Sequence, residues 1–89
     1  MIIKGLYFTE TSCSCPEQYD VHDENNNIVG YVRLRHGFLR CEFPYCGGET
    51  IYQANIGDEW TGSFENDNQR QQYLTDIAEA IHCSLAKRY

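Results

Sequence analysis

Four cysteines stand in two closely spaced pairs, Cys13-Ser-Cys15 and Cys41-Glu-Phe-Pro-Tyr-Cys46, the second followed by Gly47 and Gly48. Zinc takes four soft ligands in a tetrahedron, commonly from paired C-x2-4-C spacings. Thiols followed by a proline and two glycines suit such a knuckle. The match is partial. The first spacing is tight, the second is one residue longer than C-x3-C, and Phe43 stands where a closer motif would carry its cysteine. A structural zinc on Cys13, Cys15, Cys41 and Cys46 therefore competes with a plainer reading as free thiols or an incidental disulfide, and the expectation is no cofactor.

Nucleophilic catalysis would need a base within reach of a thiol or hydroxyl, and a third group to orient that base. His82 precedes Cys83, but neighbours on a helix point about 100° apart and do not face each other. His36 belongs to a turn and His22 to an exposed strand face. The chain contains no G-x-S-x-G, no phosphate-binding P-loop and no dinucleotide fingerprint. Its carboxylates are scattered as on a solvated surface. The expectation is a protein that is not an enzyme.

The elements that must position these side chains belong to one small domain, because 89 residues allow one core and no second lobe. Hydrophobic residues are 42% and aromatics 13%, enough for a packed fold and too many for a disordered tail. The formal net charge of −6 argues against general adhesion to nucleic acid or anionic membranes, though not against a local basic patch. The start MIIKGLYFTETS lacks a basic n-region, a long apolar stretch and a cleavage site, and no apolar run approaches ~20 residues. A cytoplasmic chain without a membrane partner is expected, and there an odd count of five cysteines does not read as a disulfide framework.

Residues 2–9 are rich in β-branched and aromatic side chains and predict a strand; residues 11–16 predict a loop ending at Pro16. In residues 17–23, Tyr19 and Val21 alternate with Asp20 and His22, as in a half-exposed strand. ENNN at 24–27 suits a turn. Residues 28–43 predict two strands joined at His36-Gly37. A two-residue loop there sets Arg35 opposite Phe38, Leu34 opposite Leu39, Arg33 opposite Arg40 and Val32 opposite Cys41. One face then carries Val32, Leu34, Leu39, Cys41 and Phe43, which makes Cys41 a small core side chain. After the PYCGG loop, Tyr52, Ala54 and Ile56 share one side of a further strand, and EWTGSF predicts a short one aligning Trp60 with Phe64.

From Asn66 the period becomes helical: Leu74, Ile77, Ala78, Ile81 and Leu85 form one apolar stripe. Asn66 or Asp67 can cap the start with Gln69 or Gln71 reaching back, and Lys87 and Arg88 suit the C-terminal end. Cys83 falls off the stripe. The predicted fold is α+β, an antiparallel meander of five to six strands with one C-terminal amphipathic helix packed on its apolar face.

The outer hairpin face carries Tyr31, Arg33, Arg35, Phe38, Arg40 and Glu42. Residues 31–42 hold three basic groups against one acidic, while the remainder holds four against twelve. Arginine beside tyrosine and phenylalanine is the composition of protein-recognition hot spots, and also of stacking platforms for single-stranded nucleic acid. The plainer reading is a solvated face whose arginines pair with Glu42 or lie along the aromatics. A second candidate surface is acidic: Asp58, Glu59, Glu65 and Asp67 around the approach to the helix, with Asp76 and Glu79 on its outer side. Such a surface can imitate a phosphate backbone, and as a rule it serves solubility.

Residues 15–44, CPEQYDVHDENNNIVGYVRLRHGFLRCEFP, resemble small acidic proteins of phages and mobile elements. There a Cys-Pro-Glu-Gln-Tyr-Asp-Val opening leads to a Gly-Tyr-Val/Ile-Arg-Leu-Arg strand and a Gly turn. Cys41 and Cys46 are not part of the shared pattern, which weighs against zinc. The resemblance implies a binder that disables a host protein by covering a surface, of the anti-defence or anti-CRISPR type. Its partner would be a host nuclease or nucleic-acid-binding complex in the host cytoplasm. A second class stays open: a small nucleic-acid-binding or structural-zinc accessory module. Self-association into a homodimer is compatible with either class.

Overall fold

A computed structural model describes residues 1–11, 17–57 and 64–88. Six antiparallel strands run in chain order as one meander, β1 (Ile2–Ile3), β2 (Leu6–Glu10), β3 (Glu17–His22), β4 (Ile28–Arg35), β5 (Phe38–Phe43) and β6 (Glu49–Asn55). The chain closes with helix α1 (Asp67–Arg88). The architecture is the α+β arrangement expected. The loop expected at 11–16, Cys13 and Cys15 included, lies outside the described residues except for Thr11. Residues 58–63 are outside them too, so Phe64 alone represents the strand expected at 59–64; it is buried and lies beyond any strand.

The hairpin at the centre has the register that its turn requires. Arg35 pairs with Phe38, Leu34 with Leu39, Arg33 with Arg40 and Val32 with Cys41. His36 and Gly37 have φ of 55° and 73°, the left-handed pair of a two-residue turn whose twist matches that of the flanking strands. Glycine adopts this geometry without steric cost and a β-branched residue does not. Gly37→Val should therefore lower stability by more than ~1 kcal/mol in chemical denaturation. An unchanged midpoint would contradict the turn.

The single strand expected over residues 2–9 is instead two, because Lys4 and Gly5 also turn with φ of 52° and 80° and set Ile3 opposite Leu6. In the sequence the reversal shows only as Lys4-Gly5 between the apolar residues Ile2-Ile3 and Leu6-Tyr7-Phe8. Asp23 organises the next turn: its Oδ1 accepts the N–H groups of Asn25 and Asn27, both at 2.9 Å.

Alternation puts Leu6, Phe8, Tyr19, Val21, Val32, Leu34, Leu39, Cys41 and Phe43 on one face, all buried. Helix α1 lies on this face and contributes Leu74, Ile77, Ala78 and Ile81, with Leu85 half-buried at the end of the stripe. Asn66 caps it: Oδ1 accepts the Gln69 N–H at 2.8 Å, and Gln69 Oε1 accepts the Glu65 N–H at 2.7 Å, a reciprocal arrangement of the capping-box kind. Gly30 lets the helix approach closely. A Cβ built there would lie 2.8 Å from Ile81 Cδ1 and 3.5 Å from Val21 Cβ. No described helix is long and apolar enough to cross a membrane.

Candidate functional site: the open face of the sheet

With α1 on one face, the other face of the sheet is covered by no described element. Strand register arranges its side chains in rows across the strands. Arg35, Phe38 and Asn55 form the first; Gln18, Arg33, Arg40 and Gln53 the second. The third contains Thr9, Asp20, Tyr31, Glu42 and Thr50. Ile2, Tyr7, His22 and Ile28 form the fourth. Ile28 rather than Val29 belongs to this row because β4 carries one extra residue between the partners of Val21 and His22. That bulge sends Val29 into the core.

The five residues expected to bind thus come together. Tyr31, Arg33, Phe38 and Arg40 are half-buried and Arg35 is exposed. Arg33, Arg35, Phe38 and Arg40, with His36, line a shallow depression. Among the described residues, none of the three arginines has a carboxylate within ion-pair distance; the ion pairs present are Lys4–Glu79, Arg70–Glu17 and Arg70–Asp67. The anticipated pairing with Glu42 is absent, because Glu42 Oε1 instead accepts the N–H of Gly47 at 3.2 Å. Tyr31 donates its hydroxyl to Gln18 Oε1 at 2.7 Å, and burial pushes its phenol up from the ordinary value. This fixes the ring against β3. Arg33 and Arg40 stand directly opposite, a like-charge pair that weakens a sheet by some tenths of a kcal/mol.

The acidic candidates are dispersed. Asp58 and Glu59 lie outside the described residues. Glu65 is exposed beside the helix cap, Asp67 pairs with Arg70, and Glu79 pairs with Lys4 Nζ at 3.4 Å. Asp76 is exposed on α1, one turn before Glu79. No single described carboxylate surface results.

The described cysteines differ in environment. Cys41 is fully buried, and burial pushes its thiol up to about 12, which opposes the thiolate a metal needs. Cys46 and Cys83 are exposed, and among the described residues no three metal-ligating side chains cluster. His82 reaches the carbonyl of Lys4 with Nε2 at 2.8 Å, consistent with its donating there.

Sequence reasoning missed one polar cluster. Glu17 follows the inward parity of Tyr19 and Val21 and is 4% exposed. Its carboxylate takes Arg70 Nε at 2.6 Å and Nη2 at 3.3 Å, the hydroxyl of Tyr19, and the Phe64 N–H at 3.2 Å. Arg70 also lies over the Phe64 ring, which stacks on Tyr73. The pair ties β3 to the first turn of α1 across 53 residues. Parity alone placed Glu17 inward; its partner is set by the helix position. Compared with models of protein families, with curated proteins and with solved structures, the chain matches none.

Proposed function

We propose that the chain is a non-enzymatic protein-binding module that docks through the open sheet face, with Arg33, Arg35 and Arg40 as charged anchors and Phe38 and Tyr31 beside them. The observation that carries this reading is three adjacent guanidinium groups with no carboxylate within ion-pair distance among the described residues. Within the fold, the opposed Arg33 and Arg40 repel each other. A partner with an acidic surface would relieve that repulsion, and desolvation on docking strengthens each charge-assisted hydrogen bond. The rest of the chain, net negative, orients such a partner and repels misplacement.

This is the physics of inhibition by occlusion, in which a covered surface suffices and no chemistry is performed. The resemblance of residues 15–44 to phage and mobile-element proteins extends the reading to a host protein as the target, in the manner of an anti-defence or anti-CRISPR inhibitor. Replacing Arg33, Arg35 and Arg40 together by Ser should leave the fold intact and weaken a host protein captured by the wild type tenfold or more, about 1.4 kcal/mol. Asp76→Ser with Glu79→Ser should leave that affinity unchanged. The reading fails if the arginine variant binds as well as the wild type, or if the folded protein binds oligonucleotide tightly at physiological salt.

A further inference from the structure

The two ends of the open face differ in chemistry, and β4 runs from one to the other. Its outward side chains are Arg35, Arg33, Tyr31 and, past the bulge, Ile28. At the far end Ile2 is 64% exposed, Tyr7 43% and Ile28 40%, with His22 of β3 between Tyr7 and Ile28 in the row. Exposed apolar side chains gathered at one end of a face mark contact surfaces, unlike single ones. Between the ends lie Asp20 and Glu42, flanking Tyr31.

We infer that this face takes an extended peptide segment lying along β4, acidic at one end and apolar at the other. The inference rests on the protein-binding reading above and names the chemistry of the partner. Side chains on one side of an extended chain repeat every two residues, at about 6.8 Å, and so do Arg35, Arg33 and Tyr31 on β4. A carboxylate at position i of the segment meets Arg35. A second at i+2 lies between the opposed guanidinium groups of Arg33 and Arg40, relieving their repulsion. Position i+4 faces Tyr31 and must be uncharged, because Asp20 and Glu42 flank it. An apolar residue at i+6 covers Ile28 beside His22; the bulge at Val29 absorbs the extra residue. A nucleic-acid strand carries phosphate at every step. It would place negative charge over Asp20 and Glu42 and over the apolar end, whereas a peptide confines its charge to the arginines.

The test uses fluorescein-labelled eight-residue peptides with Asp at the first and third positions, Leu at the seventh and Ser elsewhere, together with the reversed sequence. Anisotropy is measured against the full chain at physiological salt. One of the two orders should bind saturably. Affinity should fall at least tenfold when the aspartates occupy the first and second positions, when Leu becomes Ser, with Arg33→Ser/Arg40→Ser, and with Ile28→Ser. Arg35→Ser, at an exposed position, serves as a further variant if the double substitution does not fold. Absence of binding by both orders, binding insensitive to the arginine and Ile28 substitutions, or tighter binding of a deoxythymidine decamer would each overturn the inference. A host protein captured by the wild type and lost in the triple arginine variant, with neither peptide order bound, would overturn the extended segment and leave the protein-binding reading standing.

Discussion

Arg70→Met should destabilise the protein by about 3–5 kcal/mol at neutral pH, because it leaves a buried carboxylate without its counter-charge. Burial by itself raises the Glu17 carboxyl; Arg70, the Tyr19 hydroxyl and the Phe64 N–H outweigh it and hold the group below its ordinary 4.5. Glu17 in turn raises the Tyr19 phenol further than burial does alone. In the native protein the contribution of Glu17 is complete above 4.5 and is lost as pH falls through the lower folded-state value. Without Arg70 the strongest lowering influence is gone, so the folded-state value rises from its native one and the folded variant takes up the proton at higher pH than the folded native protein. The deficit of the variant should therefore shrink as pH falls from 7 through that raised value. Urea titrations across that interval check this; a pH-independent deficit, or none, would show that the pair does not hold the helix to β3. Glu17→Leu combined with Arg70→Met should recover much of the loss, since an apolar pair removes the buried charge altogether.

Ile81→Ala should cost about 2–5 kcal/mol, the range for truncating a fully buried aliphatic side chain in a core that closes only partly over the cavity. The contact with Gly30 makes this position diagnostic. Gly30→Ala brings a methyl against Ile81 Cδ1, where the undisturbed separation would be 2.8 Å, and should destabilise by about 1–3 kcal/mol through overpacking. Ile81→Val deletes that Cδ1 atom. In the Ile81→Val background, Gly30→Ala should consequently cost measurably less than in the wild type. Additive effects in the double-mutant cycle would show that helix and strand do not meet at this point.

The sequence by itself determined the parts of this protein that follow from local periodicity and turn chemistry. The helical stripe from Leu74 to Leu85 and the register of the Arg35–Phe38 hairpin are each specified within a few residues, and the cap was narrowed to Asn66 or Asp67, of which the structure uses Asn66 with Gln69. The inward position of Cys41 is specified locally too, because a two-residue turn leaves one parity and the apolar partners choose the face. The convergence of Arg33, Arg35 and Arg40 was legible for the same reason. What stayed hidden depends on contacts between segments distant in the chain. The reversal at Lys4-Gly5 interrupts a strand-like stretch by only two residues, and the pairing of Ile3 with Leu6 reveals it. The bulge that turns Val29 inward and leaves Ile28 outward comes from the pairing of β4 with β3, so the outward position of Ile28 has no signature in β4 alone. The ion pair of Glu17 with Arg70 spans 53 residues, and no local pattern chooses one arginine among several. Whether an arginine becomes a structural tie or an open anchor was decided by tertiary structure. Arg70 meets a carboxylate already desolvated by the core, whereas Arg33, Arg35 and Arg40 meet on a face that the helix leaves to solvent.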